Sequence, residues 1–366
     1  MEIVHAETAI KIPEKKIPAL INDHEASAKA IQLRYVSDTD KGITRVRKGK
    51  GFDYISDGRR VRDRETLERI RKLVIPPAWE NVWICKYANG HIQVTGTDAR
   101  GRKQYKYHPL WNALRNETKY FRLLEFGRSL PVIRERLERD LAKPGLPKEK
   151  VLAAIVSIMD KTSIRIGSSF YEKLYGSFGL STMKDRHVKI EGGTVRFSFK
   201  GKKGVYHDIS LRSRRLANIV RKCRDIPGRE LFQYYDSDGV AHTVDSGEVN
   251  EYIREVSGGD FTSKDFRTWT GTVQCLLSLR QLGGFETETE KKKKLVSAID
   301  AVAQSLGNTR AVCRKHYIHP AVLSSYEANK LEGYLEELES KAAAGEDITA
   351  CEEVLLDLLQ NKTLKT

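Results

Sequence analysis

The sequence predicts an α+β protein. A small, antiparallel β-rich N-terminal domain (31–112), preceded by an extension (1–30), is followed by a mostly α-helical domain with a small β insert (113–366). Three observations carry this expectation. Alternating apolar residues and turn dipeptides dominate up to about Trp111, helical spacing dominates beyond it, and one island, "VKIEGGTVRFSFKGKKGVYHDISL", returns to alternation. The 366 residues are ample for two domains, and 40% hydrophobic against 31% charged residues describe a folded, soluble chain.

Residues 1–30 are polar and weakly periodic, and read as an extension packed on the surface or partly mobile. Asp63 to Val74 places Leu67, Ile70 and Val74 on one helical face and stops before Pro76-Pro77. "VWICKYANGHIQVTG" is apolar on both sides of Asn89-Gly90, the signal of a hairpin with a type I′ turn. Past Trp111, "LPVIRERLERDL" and "KEKVLAAIVSIMD" are amphipathic. In the β island Val195, Phe197 and Phe199 alternate, with turns at Gly192-Gly193 and Gly201 to Gly204, and "DSDG" at Asp236 to Gly239 is a hairpin turn. Thr262 and Asp265 have capping-box spacing, so a helix starts there with Phe266, Trp269 and Val273 turned inward. Leu295, Ile299, Val302 and Leu306 form an apolar stripe that Gly307 ends, and Pro320 suits the first turn of the next helix. The tail after Ala342 reads as a loop and a last amphipathic helix with a packing role. No internal repeat is visible.

Lys and Arg number 64 against 49 Asp and Glu, a net charge of +15, and the pI is near 9.4. Such an excess makes a polyanion the default partner, nucleic acid before an anionic membrane surface. The five cysteines are scattered and never form a CxxC pair, which predicts reduced thiols in a cytoplasmic protein and neither a disulfide framework nor a structural zinc site. No secretory leader or membrane-length apolar run is seen. HExxH and Walker A patterns are lacking, and "DSDG" is not followed by the remaining ligands of a calcium loop. His316 and His319 suit packing or a nucleic-acid contact better than metal ligation. The run Lys291 to Lys294 behind "ETETE" is a solvated helix start.

Basic residues stand at three places where an anion is favoured. Arg267 falls in the first turn of its helix, suited to grip a phosphate bidentately, although a lone arginine there is commonly a surface ion-pair residue. Arg165 lies between Ile164 and Ile166, so burial requires an anionic partner, either an internal carboxylate or a phosphate. Lys202 and Lys203 sit at a ribbon tip, where a lysine can reach a bound substrate while standing clear of the site beforehand, though solvated tips are commoner. "SLGNTRAVCRKHYIHPAVLSSYE" holds two tyrosines. Tyr326 falls inside the helix begun by Pro320 and reads as an ordinary core residue. In "GRKQYKYH", Arg102 and Lys103 suit phosphates, while Gln104, Tyr105 and Tyr107 suit base edges or stacking. Alternation puts Tyr105 and Tyr107 on one strand face, either a shared surface or a sheet core.

These residues resemble the active site of type IB DNA topoisomerases, most closely the compact poxvirus-like branch found in bacteria. The resemblance lies in Arg165 of "IRIG", Lys202 of "KGKKG", Arg267 of "KDFRTW", Asn308 of "LGNT" and Tyr317 of "RKHYIHP", and extends from about Leu33 to Tyr326 through "RIRKLVIPPAWENVWIC", "DARGRKQYKYHPLW" and "GSFGLSTMKDRHV". It implies a C-shaped clamp on double-stranded DNA, with 31–112 as the DNA-binding domain and 113–366 as the catalytic domain. It selects Tyr317 as the nucleophile that becomes joined to a 3′ phosphate. It assigns charge stabilisation to Arg165 and Arg267, a hydrogen bond to Asn308 (histidine in the poxvirus members) and general-acid action to Lys202. Lys264 is an auxiliary proton donor to consider. The implied activity is relaxation of positive and negative supercoils without ATP, metal or cofactor, by a monomer with no obligate protein partner, associated with the nucleoid. The rivals are a tyrosine recombinase, which shares the Arg–Lys–Arg–Tyr chemistry but usually has histidine where this chain has Lys264, and a non-catalytic DNA-binding relative.

Overall fold

The computed structural model describes residues 23–49, 51–98, 103–342 and 347–363. These fall into two compact units that divide between Arg122 and Leu123. Arg102 lies outside the described residues.

In the first unit, β1 (Ile43–Lys48), β2 (Gly51–Ser56), β3 (Arg59–Arg60), β4 (Glu80–Ile84), β5 (Ile92–Thr97) and β6 (Lys103–Tyr107) form one antiparallel sheet in the order β3-β2-β1-β4-β5-β6. Ile43, Val82, Ile84 and Val94 from the sheet close over Ile70 of the helix Arg64–Lys72. That helix starts as expected, with the Asp63 carboxylate accepting from the Thr66 amide at 2.7 Å. It ends sooner than its apolar spacing suggests. Val74 is left-handed at φ 46° and 74% exposed, while Leu73 and Ile75 pack on the core in its place. Ile75, directly ahead of Pro76, is disfavoured in α conformation, so the chain leaves the helix before it.

The hairpin at Asn89-Gly90 is a second correction. Strands β4 and β5 pair antiparallel, Ile84 opposite Val94, but neither Asn89 nor Gly90 has the positive φ that a type I′ turn needs. Gly90 instead pairs with Arg34 in a parallel bridge, and Gln93 fills the wider loop. Its amide donates to the carbonyls of Tyr87 (3.2 Å), Ala88 (3.1 Å) and Gly90 (2.7 Å) and accepts from Arg69 at 2.9 Å. Tertiary hydrogen bonds thus override the local turn preference.

The second unit is mainly helical. The helix Lys148–Thr162 is buried from Val151 to Met159 and ends in a left-handed cap at Ser163, φ 56°. The expected insert is a three-stranded sheet of β7 (Val188–Glu191), β8 (Thr194–Lys200) and β9 (Tyr206–Arg212), with Val195, Phe197 and Phe199 buried. The "DSDG" turn joins β10 (Gln233–Tyr235) to β11 (Ala241–Thr243), the Asp236 carboxylate accepting from the amides of Asp238 and Val240. The helix Ser263–Leu282 opens on the Thr262–Asp265 capping box, and Phe266, Trp269 and Val273 are buried. The stripe Leu295, Ile299, Val302 and Leu306 is buried in the helix Glu288–Leu306, which Gly307 caps at φ 58°. Four helices follow: Arg310–His316, Pro320–Glu327, Glu332–Ala342 and Asp347–Thr363. All five cysteines are free and buried. Among the described residues no helix is long and apolar enough to cross a membrane.

Replacing Gln93 with leucine leaves buried carbonyls without a donor, and a loss of about 2 kcal/mol is expected. Urea unfolding should show a lower midpoint with an unchanged slope.

Candidate active site

Arg267 is 5% exposed. Its Nη1 donates to the Ser163 carbonyl and its Nη2 donates to the Leu306 carbonyl at 2.8 Å, while its buried Nε has no partner. Arg165 donates from Nη2 to the Asn308 Oδ1 at 2.8 Å. The amide of Asn308 thereby faces the arginine with its oxygen and keeps its nitrogen as a donor, 3.4 Å from the Leu306 carbonyl. The backbone of Arg165 is held by main-chain bonds, Leu180 N–H to the Arg165 carbonyl (3.0 Å) and Ser181 N–H to the Ile166 carbonyl (2.7 Å). This close approach explains two glycines of the sequence. Gly167 is at φ +95°, and a Cβ on Gly179 would lie 2.5 Å from the Arg165 carbonyl oxygen.

Among the described residues neither arginine has a carboxylate partner. Of the two readings of Arg165, the internal ion pair therefore falls. Burial and the like charge of Arg165 hold the Arg267 guanidinium down at about 10, which leaves it protonated at neutral pH. The result is two cations facing one cleft, bonded only to neutral acceptors, an arrangement that favours an anion.

Tyr317 closes the helix Arg310–His316, with its amide donating to the Cys313 carbonyl at 2.9 Å. Its backbone rests on the Arg267 helix, where a Cβ on Gly271 would lie 2.5 Å from the Tyr317 carbonyl oxygen. Thr272 Oγ1 accepts from the His319 amide at 3.1 Å and sits 3.4 Å from the Tyr317 carbonyl. One helix thus carries Arg267 and seats Tyr317, whose ring centroid is 5.3 Å from the guanidinium carbon. Burial raises the Tyr317 phenol, but the positive charges of Arg267 and Arg165, with a smaller effect from Lys202, outweigh it and bring it below the ordinary tyrosine value. Tyr326 is the opposite case. It is 2% exposed, its hydroxyl donates to the Gly283 carbonyl at 2.9 Å, and burial, aided by Glu290, raises its phenol. The two phenols thus sit in opposite electrostatic environments.

The cleft is lined by Ser163, Arg165, Lys202, His207, Arg267 and Leu306, among others. Lys202 is exposed in the tight turn Lys202–Gly204 between β8 and β9. It lines the cleft already, rather than standing clear of it. His207 was missed at the sequence level. It shares the inward row of β9 with Ile209 and Leu211, and that phase of alternation is the one signal that marks it. Gly201 and Gly307 give it room, since a Cβ would lie 2.6 Å from its Cδ2 or 2.5 Å from its Cε1. Burial, then Arg165 and Arg267, push its imidazole below the ordinary value, so it is neutral at pH 7. Lys264 is exposed and outside the residues that line the cleft. His319 caps its helix, Nδ1 accepting from the Ala321 amide at 3.0 Å. No group of three potential metal ligands occurs among the described residues.

In the first unit, β6 is the edge strand that carries Lys103, Gln104, Tyr105 and Tyr107. Tyr105 and Tyr107 stack at 5.9 Å with ring planes 10° apart, and they are 43% and 38% exposed. The sheet-core alternative therefore falls. Lys103 pairs with Asp38 at 2.6 Å, and Gln104 donates to Asp98 at 3.0 Å. Tyr35, not foreseen, is 45% exposed and stacks on His91 at 4.2 Å.

Residues 107–342 match the family model described as eukaryotic DNA topoisomerase I, catalytic core, and residues 51–98 match that of the bacterial DNA topoisomerase IB N-terminal domain. A relative named DNA topoisomerase 1B from Acanthamoeba polyphaga mimivirus is 32% identical over 297 residues, covering 79% of this chain and 88% of the relative. DNA topoisomerase 1B of vaccinia virus (strain Copenhagen) is 22% identical over 247 residues, 67% of this chain and 75% of the relative. DNA topoisomerase 1 of rabbit fibroma virus (strain Kasza) is 23% identical over 293 residues, 75% and 88% respectively.

The charge environment of Tyr317 gives a direct expectation. In a 295 nm absorbance titration, the difference between the protein and its Tyr317→Phe variant should show a phenol ionising below free tyrosine. In Arg267→Gln that ionisation should move up, because the strongest opposing charge is gone. Gly271→Ala should move it up as well, by pushing Tyr317 off the helix. An unmoved titration in both variants would contradict the geometry.

Proposed function

Because the chain belongs to the type IB DNA topoisomerase family, we propose that it relaxes positive and negative supercoils in double-stranded DNA through a covalent bond between Tyr317 and a 3′ phosphate. The protein is a DNA topoisomerase, an isomerase whose substrate is DNA. The observation that carries the residue-level reading is the Tyr317 phenol beside two guanidiniums that have no carboxylate partner among the described residues.

The Tyr317 oxygen attacks the scissile phosphorus, the bond from phosphorus to the 5′ oxygen breaks, and the departing strand ends in a 5′ hydroxyl. The lowered phenol reduces the cost of reaching the phenolate. Arg165 and Arg267 face the nonbridging oxygens, where charge grows in the transition state. Asn308 orients Arg165 through its Oδ1 and offers its nitrogen to the same oxygens. Lys202, at the lip of the cleft, protonates the 5′ oxygen. Resealing is the reverse, and one phosphodiester is exchanged for another of similar energy, so no ATP is consumed. The two arginines supply the charge stabilisation that Mg²⁺ gives in other phosphoryl transfers, and no metal or cofactor is required.

On the first unit, Lys103, Gln104, Tyr105 and Tyr107 contact the duplex, joined by Arg102. The protein acts as a monomer without an obligate protein partner. Five free thiols support a cytoplasmic enzyme, and a DNA substrate would place it at the nucleoid.

Plasmid relaxation in EDTA without ATP, with denaturant trapping of adducts, tests this reading. Tyr317→Phe should lose both relaxation and adduct. Tyr326→Phe should keep both, at a stability cost of about 1 kcal/mol for the lost bond to Gly283. Lys202→Ala should slow cleavage by roughly 10²- to 10⁴-fold. Adducts that persist in Tyr317→Phe would sink the assignment. Duplex affinity should also fall steeply with salt, and a flat dependence would contradict a phosphate-dominated interface.

A further inference from the structure

The helix Asp347–Thr363 lies past residue 342, where the match to the catalytic-core family ends. Its sequence pattern promised only packing, yet it carries a nearly buried carboxylate. Glu352 is 9% exposed. Its Oε1 accepts from the indole Nε1 of Trp269 at 2.9 Å and from Arg134 Nη2 at 2.9 Å, and its Oε2 accepts from Arg134 Nη1 at 2.6 Å. Arg134 also donates from Nε to Asp160 at 3.0 Å. Trp269 is two residues beyond Arg267 on the same helix. Asp160 is three residues before Ser163, whose carbonyl holds Arg267, and five before Arg165. The Trp269 ring packs closely on Gly127, where a Cβ would lie 2.3 Å from its Cη2 and 2.9 Å from Leu356 Cδ2.

We propose that Glu352 and Arg134 are positioning residues for the cleavage reaction, the C-terminal helix acting as a brace that sets Arg267 and Arg165 relative to each other from behind. Glu352 fixes the Arg267 helix through Trp269. Arg134 carries that position across to Asp160, on the helix that delivers Ser163 and Arg165. The Glu352–Arg134 ion pair joins the two links, so a displacement at Glu352 is felt at both arginine elements. This inference rests on the reading of Tyr317 as nucleophile.

The test uses the full chain, with enzyme in excess over a short duplex that is cleaved once, and reads the cleavage rate constant and the reacting fraction separately. Glu352→Ala should lower the rate constant, by on the order of 10²-fold if an arginine shifts by about an ångström, with duplex affinity little changed. Its Tyr317 phenol should titrate closer to free tyrosine. Glu352→Gln keeps an acceptor for Trp269 but loses the ion pair, and should fall between Glu352→Ala and the parent. If Glu352→Ala does not fold, the rate constant and phenol titration of Glu352→Gln decide in the same way. A smaller reacting fraction at the parent rate constant, with the phenol unmoved, would overturn the proposal and leave Glu352 a stability residue. A parent protein that forms no Tyr317 adduct would sink the underlying reading, and the brace with it.

Discussion

The second unit is organised around a buried guanidinium that has no carboxylate partner among the described residues. Arg267 is 5% exposed, its bonds end on the neutral carbonyls of Ser163 and Leu306, and Arg165 is near enough to lower its pKa. Removing a charge from water costs several kcal/mol, and a like-charged neighbour adds to that. An uncompensated cation of this kind persists only when the surrounding fold over-determines it. The fold gives up stability here to hold a place for negative charge, and the Tyr317 phenol is the first group to feel it.

The rest of the site is a way of keeping those charges in place. Close backbone approaches do most of the work. Gly179 lets the chain touch Arg165, Gly271 lets Tyr317 rest on the Arg267 helix, and Gly201 with Gly307 make a slot for His207. A side chain at any of these points must displace the backbone of Arg165 or Tyr317, or the ring of His207, rather than a solvent-facing loop. The cap at Ser163 belongs to the same design, since its left-handed turn aims a carbonyl at Arg267.

What the sequence revealed and what it hid follow from how far apart the interacting residues are. The Thr262–Asp265 cap, the stripe ending at Gly307 and the alternation of Val195, Phe197 and Phe199 depend on neighbours within a few positions, and each is present. The Asn89-Gly90 turn failed because Arg34 and Gln93 impose a wider loop. The acceptors of Arg267 are main-chain carbonyls, which carry no residue identity and leave no mark in a sequence. The Glu352–Trp269 bond joins residues 83 positions apart, and no local pattern announces it. The helix begun by Pro320 marked Tyr326 as a core residue, and family resemblance gave Tyr317 its role. The structure adds a physical reason, because the two phenols sit in opposite electrostatic environments.

If Arg165 and Arg267 act by neutralising charge on the nonbridging oxygens, their value should vanish when the phosphate carries none. The most direct measurement is single-turnover cleavage of a duplex with a neutral methylphosphonate at the scissile position, compared with the ordinary phosphodiester, by the parent protein and by Arg165→Ala and Arg267→Ala. The account predicts a loss on the order of 10²-fold or more for each variant on the phosphodiester and a nearly complete recovery on the methylphosphonate. An arginine defect of the same size on both substrates would contradict it, and would show that the guanidiniums serve the fold rather than the phosphate.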